Sequence, residues 1–341
     1  MTIKKDVAII GGGPVGLFAV FQTGMMGLSS VVIDALNDLG GQCTALYPTK
    51  PIYDIPACPE ITGYGLIEAL VKQAKPFMSN VLLSRQVVSI ETYEDNGQTR
   101  FKLETSKGDH LDVGAVIIAA GAGAFGPNRP PLENIEVKEG HSVFYYIKTP
   151  EQFENEDIVI AGGGDSAIDW AVELAPKAKS LTLVHRRDKF RAAPNMVAKM
   201  REMASEGLIN LKTGYQLSSL KGEGLDLTGV VLKSMEGQEL EVNARYLLPF
   251  FGLANDLGPI ASWGLQSDRK DILVDPLTQE TSQKGVFAVG DICAYENKLK
   301  LILTGFSEVA LASHKIREFI YPDQVFHFEH STTKGLPKKL A

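Results

Sequence analysis

The chain has 341 residues, of which 44% are hydrophobic and 22% are charged. The chain is longer than a typical single domain with one hydrophobic core, so its length predicts about two domains. The composition is typical of a soluble globular protein. The net charge of −7 disfavours non-specific binding to nucleic acid. No apolar run has the length of a membrane span, and residues 1–5 lead directly into a strand-like run without a signal peptide. We therefore expect a cytoplasmic protein that binds neither nucleic acid nor membrane.

The first predicted strand, residues 7–10, runs into a glycine-rich turn with Gly11, Gly13 and Gly16, and a helix-like apolar pattern follows. This is the context in which the G-x-G-x-x-G fingerprint predicts dinucleotide binding. The first glycine makes the tight turn, the second lets the backbone approach a pyrophosphate, and the third lets helix pack on strand. The next apolar run ends in Asp34, eighteen residues after Gly16. An acid at this place is typical of a site that binds free ribose hydroxyls.

Several ordinary elements follow. Residues 63–78 have helical spacing, and residues 81–91 and 100–104 are predicted to be strands around a polar turn at 94–97. Residues 113–121 form a buried-strand run, and the breaker-rich segment 122–131 after it predicts a linker.

A second copy of the fingerprint begins at residue 157, with Gly162, Gly163, Gly164 and then Ala167. Eighteen residues after Ala167 the chain carries His185, and cations follow it. Alone, Arg186, Arg187 and Arg191 would be read as a solvated basic face. At this place in a dinucleotide unit they favour a 2′-phosphate, and hence NADP.

Residues 227–233 and 239–242 are predicted to be a further pair of strands, and residues 246–252 a second junction. Residues 285–291 then form a strand that ends in Gly-Asp. The sequence thus predicts an α/β protein with two Rossmann-like dinucleotide-binding domains, the second inserted into the first. We place the FAD-binding domain at 1–120 and 250–341 and the NADP-binding domain at 121–249.

This order of motifs resembles the two-dinucleotide-domain flavoprotein reductases, with thioredoxin reductase as the nearest general relative. Residues 40–48 (GGQCTALYP), 52–56 (IYDIP), 163–170 (GGDSAIDW), 257–265 (LGPIASWGL) and 330–332 (HST) narrow the match. They resemble the thioredoxin-reductase-like, or type 2, ferredoxin–NADP+ reductases. The resemblance covers almost the whole chain.

The resemblance implies FAD and NADP(H) as cofactors and a homodimer. It implies that Tyr47 stacks on one face of the flavin, that His330 of the partner subunit covers the other, and that a helix after Glu308 points its N-terminus at the flavin. The residues expected to contact FAD are Gly11, Gly13, Gly16, Asp34, Gln42, Tyr47, Val87, Phe125, Asp291 and Thr332. Those expected to contact NADP are Gly162, Gly164, Arg186, Arg187 and Arg191. No side chain is assigned as a catalytic acid, base or nucleophile, and no metal site is predicted.

The cysteines test this reading independently. Thioredoxin reductases use a Cys-x-x-Cys pair, but here the chain has only Cys43, Cys58 and Cys293, none at that spacing. Related disulfide reductases carry Cys-x4-Cys after an equivalent Gly-Gly, yet the residue five beyond Cys43 is Pro48. We therefore expect Cys43 to be a small buried apolar residue, and no structural disulfides.

Without a dithiol, the electrons must leave to an external one-electron carrier, a ferredoxin or flavodoxin. Two other functions stay open: reduction of another acceptor such as a quinone or free flavin, and a flavin-bound redox sensor. The carriers are acidic, so Lys298, Lys300, Lys334, Lys338 and Lys339 are candidates for a basic docking face. If His330 covers the face that nicotinamide uses, either the tail or the NADP domain must move, and we predict a rotation about segments 121–131 and 246–252.

Overall fold

The computed structural model describes residues 2–324 except 148 and 269, together with Thr332 and Gly335; the side chains at 124–127 and 253–255 are not described. Contacts divide the chain into two compact units. The first combines 1–125 with 255–341, and the second, the inserted unit, is 126–254. The domain boundaries that the sequence predicts lie a few residues before these two junctions.

Before the first junction, the described part of the first unit contains eight strands and three helices. In chain order its elements up to the first junction are β1 (Thr2–Ile10), α1 (Pro14–Met25), β2 (Ser30–Ile33), α2 (Gln42–Ala45), β3 (Pro51–Ile52), β4 (Ile61–Thr62), α3 (Gly63–Ala74), β5 (Asn80–Leu82), β6 (Val87–Asp95), β7 (Gln98–Thr105) and β8 (His110–Ile118).

The remaining elements belong to the junctions, the inserted unit and the return to the first unit. They are β9 (Ala124–Pro127), α4 (Ile135–Lys138), β10 (Asp157–Ala161), α5 (Asp165–Leu174), β11 (Ser180–His185), α6 (Pro194–Ser205), β12 (Asn210–Thr213), β13 (Tyr215–Lys221), β14 (Gly229–Ser234), β15 (Glu239–Asn243), β16 (Tyr246–Pro249), β17 (Leu253–Asp256), β18 (Ser267–Asp268), β19 (Asp271–Leu273), β20 (Val286–Ala288), β21 (Cys293–Ala294) and α7 (Ile302–Ile320). Short 3-10 turns lie at Pro150–Phe153, Gly258–Ser262 and Gly290–Ile292.

The main sheet of the first unit has the order β5-β2-β1-β8-β7-β6, and β20 also pairs with β8. Strands β5, β2, β1, β8 and β20 run parallel, whereas β7 and β6 form an antiparallel extension. Both faces of β1 are buried: Val7 and Ile9 pack with α1 and α7, and Ala8 and Ile10 pack in a second cluster. Successive side chains point to opposite faces, so a strand covered on both sides reads as a continuous apolar run.

The inserted unit repeats the central part of this plan. Its parallel sheet has the order β12-β11-β10-β16, and an antiparallel sheet has the order β13-β14-β15. The predicted strands at 227–233 and 239–242 correspond to β14 and β15. The sequence analysis missed β13, which alternates between half-buried and exposed residues and offers only a weak pattern.

The predicted strand at 81–91 is wrong, because the structure has two strands there. Strand β5 ends at Leu82 and pairs with β2, and β6 begins at Val87 and pairs with β7. Ser84 has a φ of 54°, which is left-handed backbone that no strand residue adopts. The turn and its polar residues 84–86 thus separate two apolar segments that take different positions in the sheet.

Among the described residues, no helix is both long enough and apolar enough to cross a membrane.

Candidate functional site

The two glycine-rich turns follow the carboxyl ends of β1 and β10 and share one backbone pattern. The N–H of Gly11 donates to the carbonyl of Ile33 at 2.8 Å, and the N–H of Gly162 donates to that of Val184 at 3.0 Å. Each acceptor is the residue before the one that the sequence analysis singled out, Asp34 in one unit and His185 in the other. The carboxyl end of a parallel sheet is where such folds bind nucleotides.

Some of these glycines are required by the path of the chain itself. Gly11 has a φ of +111°, and a Cβ there would lie 2.3 Å from the carbonyl oxygen of Ala119. A Cβ on Gly16 would lie 1.9 Å from the carbonyl oxygen of Gly11, and one on Gly162 would lie 2.5 Å from that of Phe250. These positions fix the tight turn and the approach of helix to strand, as the fingerprint predicts.

Gly13 and Gly164 differ, because the protein around them is open. The nearest atom to a Cβ on Gly13 is 3.9 Å away, and a Cβ on Gly164 meets nothing within 4 Å. These two residues are the N-caps of α1 and α5, and neither makes a side-chain cap bond. The first N–H groups of both helices therefore face space that a phosphate can enter. A side chain at either position would fill that space.

Asp34 follows β2 and is buried against the first glycine turn. Its carboxylate accepts from the N–H of Gly12 at 2.5 Å and from the N–H of Leu36 at 2.7 Å. Burial raises the pKa of the carboxyl group, while these two hydrogen bonds oppose that rise. Each oxygen accepts one of the two bonds and keeps further acceptor capacity, so Asp34 can also accept from a ribose hydroxyl pair.

One cavity in the first unit gathers six of the residues predicted to contact FAD. We call it the Asp291 cavity, and the six are Gly11, Gly13, Asp34, Gln42, Tyr47 and Asp291. Val87 lines a second cavity, the Val87 cavity, which shares Gly11 and Asp34 with the first. Gly16 supports the turn instead of lining either cavity. Thr332 is exposed, and the side chain of Phe125 and all of His330 lie outside the described residues.

The sequence analysis missed several lining residues. Lys300 and Ile302 line the Asp291 cavity, and Arg85 lines the Val87 cavity, where it donates to the Asp109 carboxylate at 2.6 Å. The helix expected after Glu308 begins earlier, at Ile302, so that prediction is wrong by more than a turn. Its N-cap Leu301 is extended and makes no side-chain cap bond. No side chain caps this helix, so a bound group can satisfy its first N–H groups.

The Lys298 prediction is also wrong. Instead of contributing to a surface, its side chain is 5% exposed and ion-paired with Glu308. Lys300 is paired with Asp271, Nζ to carboxylate at 2.9 Å. Lys334, Lys338 and Lys339 lie outside the described residues.

Cys43 and Tyr47 meet in the wall of the Asp291 cavity. The Cys43 thiol lies 3.6 Å from the Tyr47 hydroxyl oxygen, and Cys43 is 1% exposed. Burial raises the pKa of both groups above their ordinary values. Since the thiolate is the reactive form, a thiol with a raised pKa is a poor nucleophile. Cys43, Cys58 and Cys293 are all free, which agrees with the expectation of no disulfides.

In the inserted unit, the segment after β11 folds back onto the glycine turn. The N–H of Arg191 donates to the carbonyl of Gly163 at 2.7 Å, and the N–H of Ala193 donates to the Asp165 carboxylate at 2.9 Å. Arg186, Arg187 and Arg191 are exposed. The fold thus brings these three predicted cations to the glycine turn, while their side chains remain accessible to a ligand.

His185 occupies the place that Asp34 has in the first unit. A Cβ on Gly163 would lie 2.2 Å from its ring, and the ring stacks on Phe190 with a centroid distance of 4.9 Å. Burial, and then the charges of neighbouring arginines, lower the pKa of His185. This side chain is therefore a packing residue, and the cations that follow it carry the charge.

Comparison with known proteins agrees with this geometry. The pyridine nucleotide-disulphide oxidoreductase family matches residues 5–313. The chain is 52% identical over 337 residues to a ferredoxin–NADP reductase from Acidiphilium cryptum and 49% identical over 335 residues to one from Paramagnetospirillum magneticum, and each match covers 98% of both chains. Among solved structures it is similar to thioredoxin reductase from Lactococcus lactis, with a TM-score of 0.71, 26% identity and coverage of 93% and 99% of the two chains.

These matches confirm the predicted fold class and the resemblance. The chain therefore belongs to the pyridine nucleotide-disulphide oxidoreductase family and, within it, to the thioredoxin-reductase-like ferredoxin–NADP reductases.

Proposed function

We propose that this chain transfers electrons between NADP(H) and a ferredoxin or flavodoxin, with FAD in the Asp291 and Val87 cavities. The observation that carries the proposal is the setting of Cys43: its sulfur meets a tyrosine hydroxyl, and none of the three cysteines has the Cys-x-x-Cys or Cys-x4-Cys spacing of the disulfide reductases. Without either dithiol motif to receive electrons, the flavin passes them to an external acceptor. When bound, FAD supplies the step between a two-electron donor and a one-electron carrier.

The residues of the first unit bind and orient FAD. The family to which the chain belongs uses FAD together with NADP(H). Gly13 and the N-terminus of α1 receive the pyrophosphate, and Asp34 accepts from the adenosine ribose. Asp291 and Gln42 hold the remainder of the molecule, and Tyr47 stacks on the flavin. The N-terminus of α7 lies at the cavity, where Ile302 forms part of the wall and no side chain caps the helix, and this helix end favours negative charge there.

The inserted unit binds NADP(H). Gly164 and the N-terminus of α5 receive its pyrophosphate, and Arg186, Arg187 and Arg191 bind the 2′-phosphate. Arginine suits this task because its planar guanidinium presents several donors to phosphate oxygens. The protein works in the cytoplasm as a homodimer in which His330 of the partner subunit covers one flavin face.

The direct test is NADPH oxidation by the purified protein, coupled to cytochrome c reduction, with and without ferredoxin and flavodoxin from the same cell. At least a tenfold higher rate with one of these carriers is expected. An equal rate with free flavin or a quinone would instead favour the alternative acceptors. Failure of NADPH to bleach the flavin anaerobically would favour a redox sensor, and inhibition by a dithiol reagent such as phenylarsine oxide would contradict the thiol-free route.

The tail needs a separate test. Removal of residues 328–341 should change the rate of flavin reduction by NADPH in rapid mixing, because His330 lies within that segment. An unchanged rate would show that the tail does not cover the face that nicotinamide uses.

A further inference from the structure

A buried ion pair lies directly behind one wall of the Asp291 cavity. Glu308, on α7, pairs with Lys298, and their side chains are 2% and 5% exposed. Neither residue lines the cavity. Isolated charges are costly to bury, and a pair is retained at such a place only when its geometry is well satisfied.

The Glu308 carboxylate joins two segments of chain. One oxygen accepts from the N–H of Gly290 at 2.7 Å. The other accepts from the Tyr295 hydroxyl at 2.7 Å and from the Lys298 ammonium. Gly290 belongs to the turn after β20, whereas Lys298 precedes α7. A single side chain thus fixes the Gly-Asp turn against the helix that follows it.

Both segments supply the cavity wall. The turn provides Gly290 and Asp291, and the approach to α7 provides Lys300 and Ile302. Helix α7 packs closely against the turn, because a Cβ on Gly305 would lie 2.5 Å from Val15 and 3.4 Å from the Cα of Gly290. In such close packing, a displacement of Glu308 is transmitted to the wall.

The charges of the pair also act on the wall. Burial raises the pKa of Asp291; Lys298 then lowers it, and Glu308 raises it. The two charges therefore oppose one another at the cavity, and buried charges are screened only weakly by salt. Removing one partner leaves a full charge of known sign close to the site.

We propose that Glu308 and Lys298 are a positioning pair for the flavin. Glu308 fixes the Gly290–Asp291 turn, and Lys298 cancels its charge, so that the fixed wall does not oppose the negative charge that the flavin gains on reduction. The inference rests on the proposed binding of FAD in this cavity, but it does not depend on which carrier accepts the electrons.

The test is the midpoint potential of the bound flavin, measured by dye-coupled spectroscopic titration, together with the dissociation constant of FAD from the apoprotein. Glu308→Gln keeps the shape and an acceptor for Gly290 but leaves Lys298 unpaired, so the potential should rise. Lys298→Met leaves Glu308 unpaired, so the potential should fall. Each single variant is expected to shift the midpoint potential by at least about 30 mV, which for a two-electron couple is a tenfold change in the equilibrium between oxidised and reduced protein. The double variant should return towards the wild-type potential.

Asp112→Asn is the matched control. The Asp112 carboxylate also accepts from a tyrosine, Tyr93 at 2.9 Å, and from a cation, Arg100 at 2.8 Å, in the same unit, and it lines neither cavity. This variant should keep the wild-type potential and FAD affinity. If Lys298→Met fails to fold, Lys298→Arg, which keeps the charge, should stay near the wild-type potential while Glu308→Gln departs from it.

Shifts of the two single variants in the same direction, or no shift in Glu308→Gln with FAD bound, would overturn the proposal. Absence of FAD from the wild-type protein would be a different result, because it would refute the proposed function before the pair is tested.

Discussion

The two glycine turns have the same backbone and different side chains at one decisive place. In both turns, the N–H of the first glycine donates to the carbonyl of the last apolar residue of the neighbouring strand, and a Cβ on that glycine would meet a backbone carbonyl oxygen. The turns differ in the residue that follows this acceptor. In the first unit that residue is Asp34, whose carboxylate turns inward and accepts from the turn. In the inserted unit it is His185, whose ring covers Gly163. The two turns thus have the same backbone but a different side chain packed against them, and under the proposed function the end of the second strand selects which dinucleotide binds.

The strongest loss of stability is expected at the third position of the fingerprint. Gly16 has no room for a methyl group, whereas the inserted unit carries Ala167 at the corresponding place. Gly16→Ala should destabilise the first unit by about 1–3 kcal/mol or more, because the added carbon meets a backbone oxygen. Thermal unfolding and FAD content of the purified protein measure the effect.

Ala167→Gly is the reciprocal control. It creates no clash and should cost about 1 kcal/mol, the ordinary price of glycine within a helix. Equal losses in the two variants would show that the two turns are not packed differently at this position.

The second prediction concerns Asp34. Asp34→Asn retains one acceptor for two N–H donors, those of Gly12 and Leu36, so one buried donor loses its partner at about 1–3 kcal/mol. FAD affinity should fall at least tenfold, as measured by flavin fluorescence during reconstitution. Asp112→Asn should leave the affinity unchanged. Retention of wild-type affinity in Asp34→Asn would remove this carboxylate from the site.

The third prediction concerns the choice of NADP. Arg186→Ala with Arg187→Ala should raise the KM for NADPH about tenfold or more, since each removes a charged donor, and should leave the KM for NADH nearly unchanged. Steady-state kinetics with both nucleotides measure the difference. Lys179→Ala is a matched control, because this exposed cation lies just before the opposite end of β11. Equal losses for both nucleotides would contradict binding of the 2′-phosphate.

The smallest effect concerns pH. Burial lowers the pKa of His185 below 6.5, so the folded protein holds this proton less tightly than the unfolded chain does. Stability from this group is therefore complete above pH 6.5 and falls as the pH drops below that value. His185→Phe keeps the stack on Phe190 and should lose less thermal stability between pH 7.5 and pH 5.5 than the wild type. An equal loss in both proteins would place the pH dependence elsewhere.

Local patterns were sufficient for much of the site. Gly11, Gly13, Asp34 and Asp291 are recognisable because each follows an apolar strand, and parallel strands end at one edge of a sheet. Gln42, Tyr47 and Val87 entered only through the family resemblance, and the structure places them in the two cavities. Phe125, Thr332 and His330 stay predictions.

Other residues had no local signal. Lys298 and Lys300 have similar sequence surroundings, yet one is buried in an ion pair and the other lines the cavity. The break at Ser84 is short, because only the three polar residues 84–86 separate the apolar residues of β5 from those of β6. The start of α7 was misplaced because no side chain caps it.

From the amino-acid pattern alone it follows that the chain folds as two related dinucleotide units, that they differ in charge at one strand end, and that neither dithiol motif is present. These properties reside in neighbouring residues, whose spacing is readable without knowing the fold. The three-dimensional contacts were needed to show that Glu308 joins the Gly290 turn to Lys298 and that α7 begins at the cavity. Those contacts join residues from separate segments of the chain. Their charges act strongly on the cavity because they are buried, and no sequence pattern predicts the burial of a single lysine or glutamate.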